Sequence, residues 1–158
     1  MRVPQDIANP LAVAIRDVLW YKSNVLSFYK DCELPKTLLT EVKKQQLAGT
    51  STIRTVHYIL DDLDAYGDEG WVIAKRILTK MNYWKDMKSI APERRQQATE
   101  SLAAFRAVMK EFQAEQEYLE RKEREERERA MQEDREARGR ITVALHCIGR
   151  NGQYRQRG

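Results

Sequence analysis

The sequence predicts an all-α protein, a bundle of about five short helices followed by one long helix that extends as a charged rod. Three observations carry this. Apolar residues recur at three- and four-residue spacings from Leu11 to Leu119. Pro35, Gly49, Gly67 and Pro92 fall between these stretches, where helices start and stop. From Glu117 to Arg138 the chain is dominated by Glu and Arg, a composition that suits a solvated helix. The domains expected are a helical bundle over 1–115, a charged helical extension over 116–138, and a basic, disordered tail over 139–158.

The first helix is expected to open at Asn9-Pro10, with Asn as N-cap and Pro at the first helical position. Leu11, Ile15, Val18 and Leu19 share its apolar face. Ser23 is placed to cap a second helix carrying Val25, Leu26 and Phe28. Leu34-Pro35 breaks it and starts a third, which buries Leu38, Leu39 and Val42 and ends at Gly49. Ser51 or Thr52 caps a fourth, with Ile53, Val56, Leu60 and Leu63 as its stripe. Gly67 is its C-terminal cap, and Asp68 caps a fifth helix over about Glu69 to Trp84.

Pro92 begins the sixth helix, expected to run to about Ala137. Ala98, Leu102, Phe105, Met109, Phe112, Gln116 and Leu119 follow spacings of 4, 3, 4, 3, 4, 3, a heptad pattern. Leu102, Phe105, Met109 and Phe112 are therefore candidates for self-association. Past Leu119 the register meets Glu and Ala, and local ion pairs must hold the helix. Glu117–Arg121, Glu120–Arg124, Glu123–Arg127, Glu125–Arg129 and Asp134–Arg138 have the favourable acid-first order, worth roughly 0.2–0.5 kcal/mol each. The sequence predicts that Gly139 stops the rod and that Ile141–Leu145 is an unpartnered strand.

Charge narrows the function classes. The chain has 28 Lys and Arg against 24 Asp and Glu. Arg140, Arg150, Arg155 and Arg157 lie after residue 138 with no acid beside them, which leaves 24 bases against 24 acids in residues 1–138. The body is neutral and the excess belongs to the tail, so weak nucleic-acid contact is expected there. Cys32 and Cys147 have neither disulfide nor zinc-site spacing, and a reducing cytoplasm is the default. No apolar run suits a signal peptide or membrane span. No phosphate-cradling glycine loop, metal-ligand cluster or nucleophilic triad is present, so no catalytic residue, metal, cofactor or small-molecule substrate is expected.

Two nucleic-acid surfaces are conceivable. The third and fourth helices have helix-turn-helix length, and the fourth would present Arg54, Thr55 and Tyr58 to bases. It ends in Asp61-Asp62, which repel phosphates, so an ordinary helical corner accounts for it better. The fifth helix carries Lys75, Arg76 and Lys80 beside Tyr83 and Trp84, a phosphate-and-stacking pattern that a solvated face also explains. The five residues between Arg140 and His146 match the Arg–His spacing of a class of helical ribonucleases, but they are strand-like here. His57 lies on the apolar side of the fourth helix, where a core role is commoner than a catalytic one.

Asp17-Val-Leu-Trp-Tyr-Lys-Ser-Asn-Val25, Leu63-Asp-Ala-Tyr-Gly-Asp-Glu-Gly-Trp71 and Met81-Asn-Tyr-Trp-Lys-Asp-Met-Lys-Ser-Ile90 resemble the helical N-terminal region of bacterial restriction-endonuclease-like proteins of the Mrr type. The resemblance covers about residues 7–138. It implies a DNA-directed defence role, with a nuclease domain after the charged helix. That domain needs an Asp and a Glu-x-Lys set to hold a metal. Residues 139–158 contain no Asp, Glu or Lys, so no catalytic residue carries over, and their bias fits a truncated or frame-shifted remnant. The expected function is a non-catalytic accessory module acting in association or target engagement. DNA, a separate nuclease or a second copy are its expected partners. A small helix-turn-helix regulator is the alternative, and a ribonuclease using Arg140 and His146 is a weaker one.

Overall fold

The computed structural model describes the backbone of residues 1–154 and the side chains of residues 1–145. Six helices and no strand occur among the described residues: α1 Gln5–Leu19, α2 Lys22–Asp31, α3 Lys36–Leu47, α4 Thr52–Ala65, α5 Gly67–Asn82 and α6 Pro92–Tyr154. The chain divides into two compact units, Met1–Phe112 and Gln113–Gly158.

The first unit is organised around α1. Its Ile7, Ala8, Leu11, Ala12, Ala14, Ile15, Val18 and Leu19 are all buried. Three alanines leave room for close helix approach, and α4 packs extensively on α1. α2 adds Val25, Phe28 and Tyr29 to the core, and α3 adds Leu38 and Val42. α5 contributes Ala74, Ile77, Leu78 and Met81. From α6, Ala98, Leu102, Phe105 and Met109 close the core. Burying a side chain such as Phe105, which has no exposed surface, stabilises the fold by about 1.5–3 kcal/mol.

Several helix boundaries follow their local chemistry. The Ser51 hydroxyl accepts from the Arg54 backbone N–H at 3.2 Å, capping α4. Gly49 and Gly67 adopt φ of +80° and +61°, the left-handed conformation with which helices commonly end. Arg106 on α6 donates to the Asn82 carbonyl at 2.8 Å and to the Trp84 carbonyl, covering the end of α5.

Other boundaries depart from expectation. α1 starts at Gln5 behind Pro4, with Pro10 inside it, so Asn9 is not its cap. The backbone needs only one turn before Pro10, and the lost bond to Asp6 lies at the solvated end. Ser23 does not cap α2, because Tyr21 holds the N-cap position in an extended conformation. Asp68 lies in the first turn of α5, not at its cap. Trp20 separates α1 from α2 at φ 47° and ψ −60°, with the Tyr21 N–H donating to the Leu19 carbonyl at 2.5 Å. That is a γ-turn, rare and strained for a residue with a side chain.

Within the second unit, all the described residues belong to α6. Gly139 does not stop it, and residues 141–145, expected as a strand, are helical. A lone strand leaves its backbone groups unpaired, whereas a helix satisfies them internally. Glycine in a helix costs only about 1 kcal/mol relative to Ala. Glu136–Arg140 at 3.7 Å and the Thr142 hydroxyl donating to the Arg138 carbonyl span the site of the expected break. Of the five ion pairs expected, Glu123–Arg127 and Asp134–Arg138 form, at 3.6 and 3.2 Å. Glu117–Arg121, Glu120–Arg124 and Glu125–Arg129 do not occur among the described residues. Arg121 lies over the Tyr118 ring instead.

Candidate interaction surface

A surface groove lies between the C-terminal end of α2 and the outer face of α5. It measures about 520 Å³ and is lined by Asp31, Cys32, Val72, Lys75, Arg76, Thr79 and Lys80. Residues 72, 75, 76, 79 and 80 share one face because they follow the helical repeat. The basic side chains Lys75, Arg76 and Lys80, singled out from the sequence, are thus brought together.

The opposite wall was not legible in the sequence. α2 ends before Leu34-Pro35, and Glu33 takes a left-handed conformation at φ 61° just past its end. From there its carboxylate meets Arg76 at 3.1 Å, while Asp31 meets Lys80 at 2.9 Å. Lys80 also lies over the Phe28 ring at 5.6 Å, and Lys75 over Trp71 at 5.9 Å. Two of the three cations are therefore balanced by acids. The groove is amphipathic and only mildly basic, less suited to phosphates than the cations alone suggested.

Cys32 forms part of the groove floor and is 1% exposed. Burial pushes its thiol up to about 11, with Lys80 and Arg76 partly opposing the shift. It stays protonated at neutral pH and is a poor nucleophile. Tyr29, fully buried with its hydroxyl unpartnered, is also raised well above the ordinary phenol value by burial.

Of the residues expected to face bases, Arg54 and Tyr58 are exposed and Thr55 is not. Arg54 is exposed at the start of α4, but Thr55 is buried in the core with its hydroxyl unpartnered. Thr55 follows Arg54 by about 100°, onto the face shared with Val56, Ile59 and Leu63. Tyr58 is 39% exposed, and desolvation together with the nearby Glu41 and Asp62 raises its phenol. Negative charge around Tyr58 disfavours a phosphate backbone there. His57 is half-buried.

Most of the heptad seam lies within its own bundle. Leu102, Phe105 and Met109 are buried in their own bundle, and Phe112 packs edge-on to Trp71 with ring centres 6.5 Å apart. Burial within the bundle competes with self-association for these residues. Arg140 is paired with Glu136. The side chains of His146 and Arg150, and Arg155 and Arg157 entirely, lie outside the described residues.

A second surface had no sequence signal. Trp20 and Tyr21 are 49% and 61% exposed. The Arg94 guanidinium lies 4.4 Å from the Trp20 ring centre and 5.6 Å from that of Tyr21, a cation–π arrangement that holds the γ-turn against α6. Among the described residues, no group of three or more His, Cys, Asp or Glu side chains is placed to hold a metal, and no helix is long and apolar enough to cross a membrane. Comparison with protein-family models, curated proteins and solved structures gives no match to this chain.

Proposed function

We propose that the chain is a non-catalytic helical accessory module, similar in kind to the N-terminal region of a restriction-endonuclease-like DNA-defence protein, that acts by association and target engagement. One observation supports the reading most directly. A fully packed bundle is followed by a helix whose residues 117–145 are all exposed. A helix that buries nothing contributes little to its own stability beyond local ion pairs. Such a segment serves to connect, to space or to be bound. The nucleic-acid component of the role is assigned to Arg140, Arg150, Arg155 and Arg157, where base exceeds acid.

A salt-titrated mobility shift tests this, using the full chain, a chain lacking residues 139–158, and Arg54→Ala. The full chain should bind duplexes weakly and without sequence preference, and binding should fall steeply with salt, as for a handful of phosphate contacts. Deletion of 139–158 should abolish it, and Arg54→Ala should leave it unchanged. Sequence-selective binding by the deleted chain, lost on Arg54→Ala, would establish the regulator reading instead.

A further inference from the structure

We propose that the groove on α5 docks the acidic stretch Glu115–Glu120 of a second copy of this chain. The cations of the groove are not all firmly committed. Arg76–Glu33 is an exposed pair, with side chains 45% and 74% exposed, and such a pair exchanges at little cost; Lys80, 32% exposed, is held more firmly against Asp31. Lys75 has no carboxylate partner among the described residues. Val72, 46% exposed, adds an apolar contact in their midst.

The acidic stretch is the chemical complement. Glu111 to Glu120 contains four Glu and no base. None of the four is in an ion pair among the described residues, whereas Glu123, Asp134 and Glu136 are. Leu119 continues the heptad register and is 43% exposed. In that register Glu115 and Glu120 flank it, at the positions that set partner choice between helices. The stretch thus offers an apolar side chain between two acids, and the groove offers one beside Lys75, unpaired among the described residues, and beside Arg76, which exchanges Glu33 for the incoming carboxylate.

A phosphate backbone brings charge but nothing to cover Val72, so the groove favours an acidic peptide over nucleic acid. Each copy carries both halves of the contact, so a pair of copies satisfies it twice under two-fold symmetry. This contact does not depend on the proposed nucleic-acid role, which the mobility shift tests separately.

The experiment is sedimentation equilibrium of the full chain across a concentration series, with a charge-reversal exchange. The wild-type chain should self-associate reversibly, and the association should weaken about tenfold when salt is raised to about 0.5 M. Lys75→Glu/Arg76→Glu and Glu115→Lys/Glu120→Lys should each be monomeric with unchanged helical circular dichroism. An equimolar mixture of the two should associate again, because every contact then pairs opposite charges. A wild-type chain that stays monomeric at all concentrations, an association indifferent to salt, or a mixture that fails to reassociate overturns the proposal.

Discussion

Ser101 on α6 donates its hydroxyl to the buried carboxylate of Asp17 on α1, across 84 residues of sequence. Asp17 is 3% exposed, and its other oxygen accepts from Arg16 Nε at 2.8 Å. Asp17 therefore ties the last helix of the bundle to the first. A buried carboxylate is tolerated only when it is paired and hydrogen-bonded, as here.

Removing either partner should be unequal in cost. Ser101→Ala should destabilise by about 1 kcal/mol, because Asp17 keeps Arg16. Asp17→Ala should cost about 2–4 kcal/mol by stranding Ser101 and half-buried Arg16. Urea denaturation of both single variants and the double variant measures the coupling. The double variant should lose less than the sum, and strict additivity would show that the pair is not energetically linked.

Two glycines should respond for different reasons. A Cβ on Gly70 would lie 1.8 Å from the Leu63 carbonyl oxygen, so Gly70→Ala must push α5 away from α4, at about 1–3 kcal/mol. A Cβ on Gly67 meets open space, and Gly67→Ala should cost only the left-handed backbone strain, about 1–2 kcal/mol. Thermal melts rank them, and repacking of the contact at Gly70 should also shift the near-ultraviolet signal of Trp71.

The buried thiol predicts a pH dependence. Cys32 is raised to about 11 by burial, so the folded state favours the protonated form. Its contribution is fully present below the ordinary thiol value of about 8.5 and is lost as pH rises through about 11. The loss is on the order of 3 kcal/mol. Tyr29 is raised by the same cause and acts in the same direction at still higher pH. Comparing Cys147→Ala with Cys147→Ala/Cys32→Ala isolates the thiol. The difference between their stabilities should change between pH 8.5 and 11, and parallel profiles would contradict the assignment. At neutral pH the native Cys32 thiol should resist an aromatic disulfide reagent until urea unfolds the chain.

The heptad register changes roles along its length. Phe105→Ala should cost about 3–5 kcal/mol, since it opens a cavity among fully buried neighbours. Leu119→Ala should change folding stability by less than about 0.5 kcal/mol, because Leu119 is exposed in the chain. Chemical denaturation of the two variants at low protein concentration tests the contrast.

The sequence alone determined the helical class, most helix boundaries and the core faces, because these follow from local chemistry and from a period of 3.6 residues. Val56, Leu60 and Leu63 pack inward as their spacing requires, and Ser51, Gly49 and Gly67 punctuate the chain through their own hydrogen bonding or φ. Composition likewise marked residues 117–138 as a solvated helix. Lys75, Arg76 and Lys80 were legible as one face, but their acidic counterparts were not. Asp31 and Glu33 reach that face only because α2 ends beside α5, a relation between helices that no local pattern encodes. The same is true of Asp17 with Ser101, Trp20 with Arg94, and Gly70 with the Leu63 carbonyl. Thr55 shows the limit from the other side: its polarity suggested a surface, and packing placed it in the core. Periodicity states which face of a helix is apolar. Only the three-dimensional arrangement decides which residues meet across it, because pairing depends on helix crossings set by the packing of the whole core.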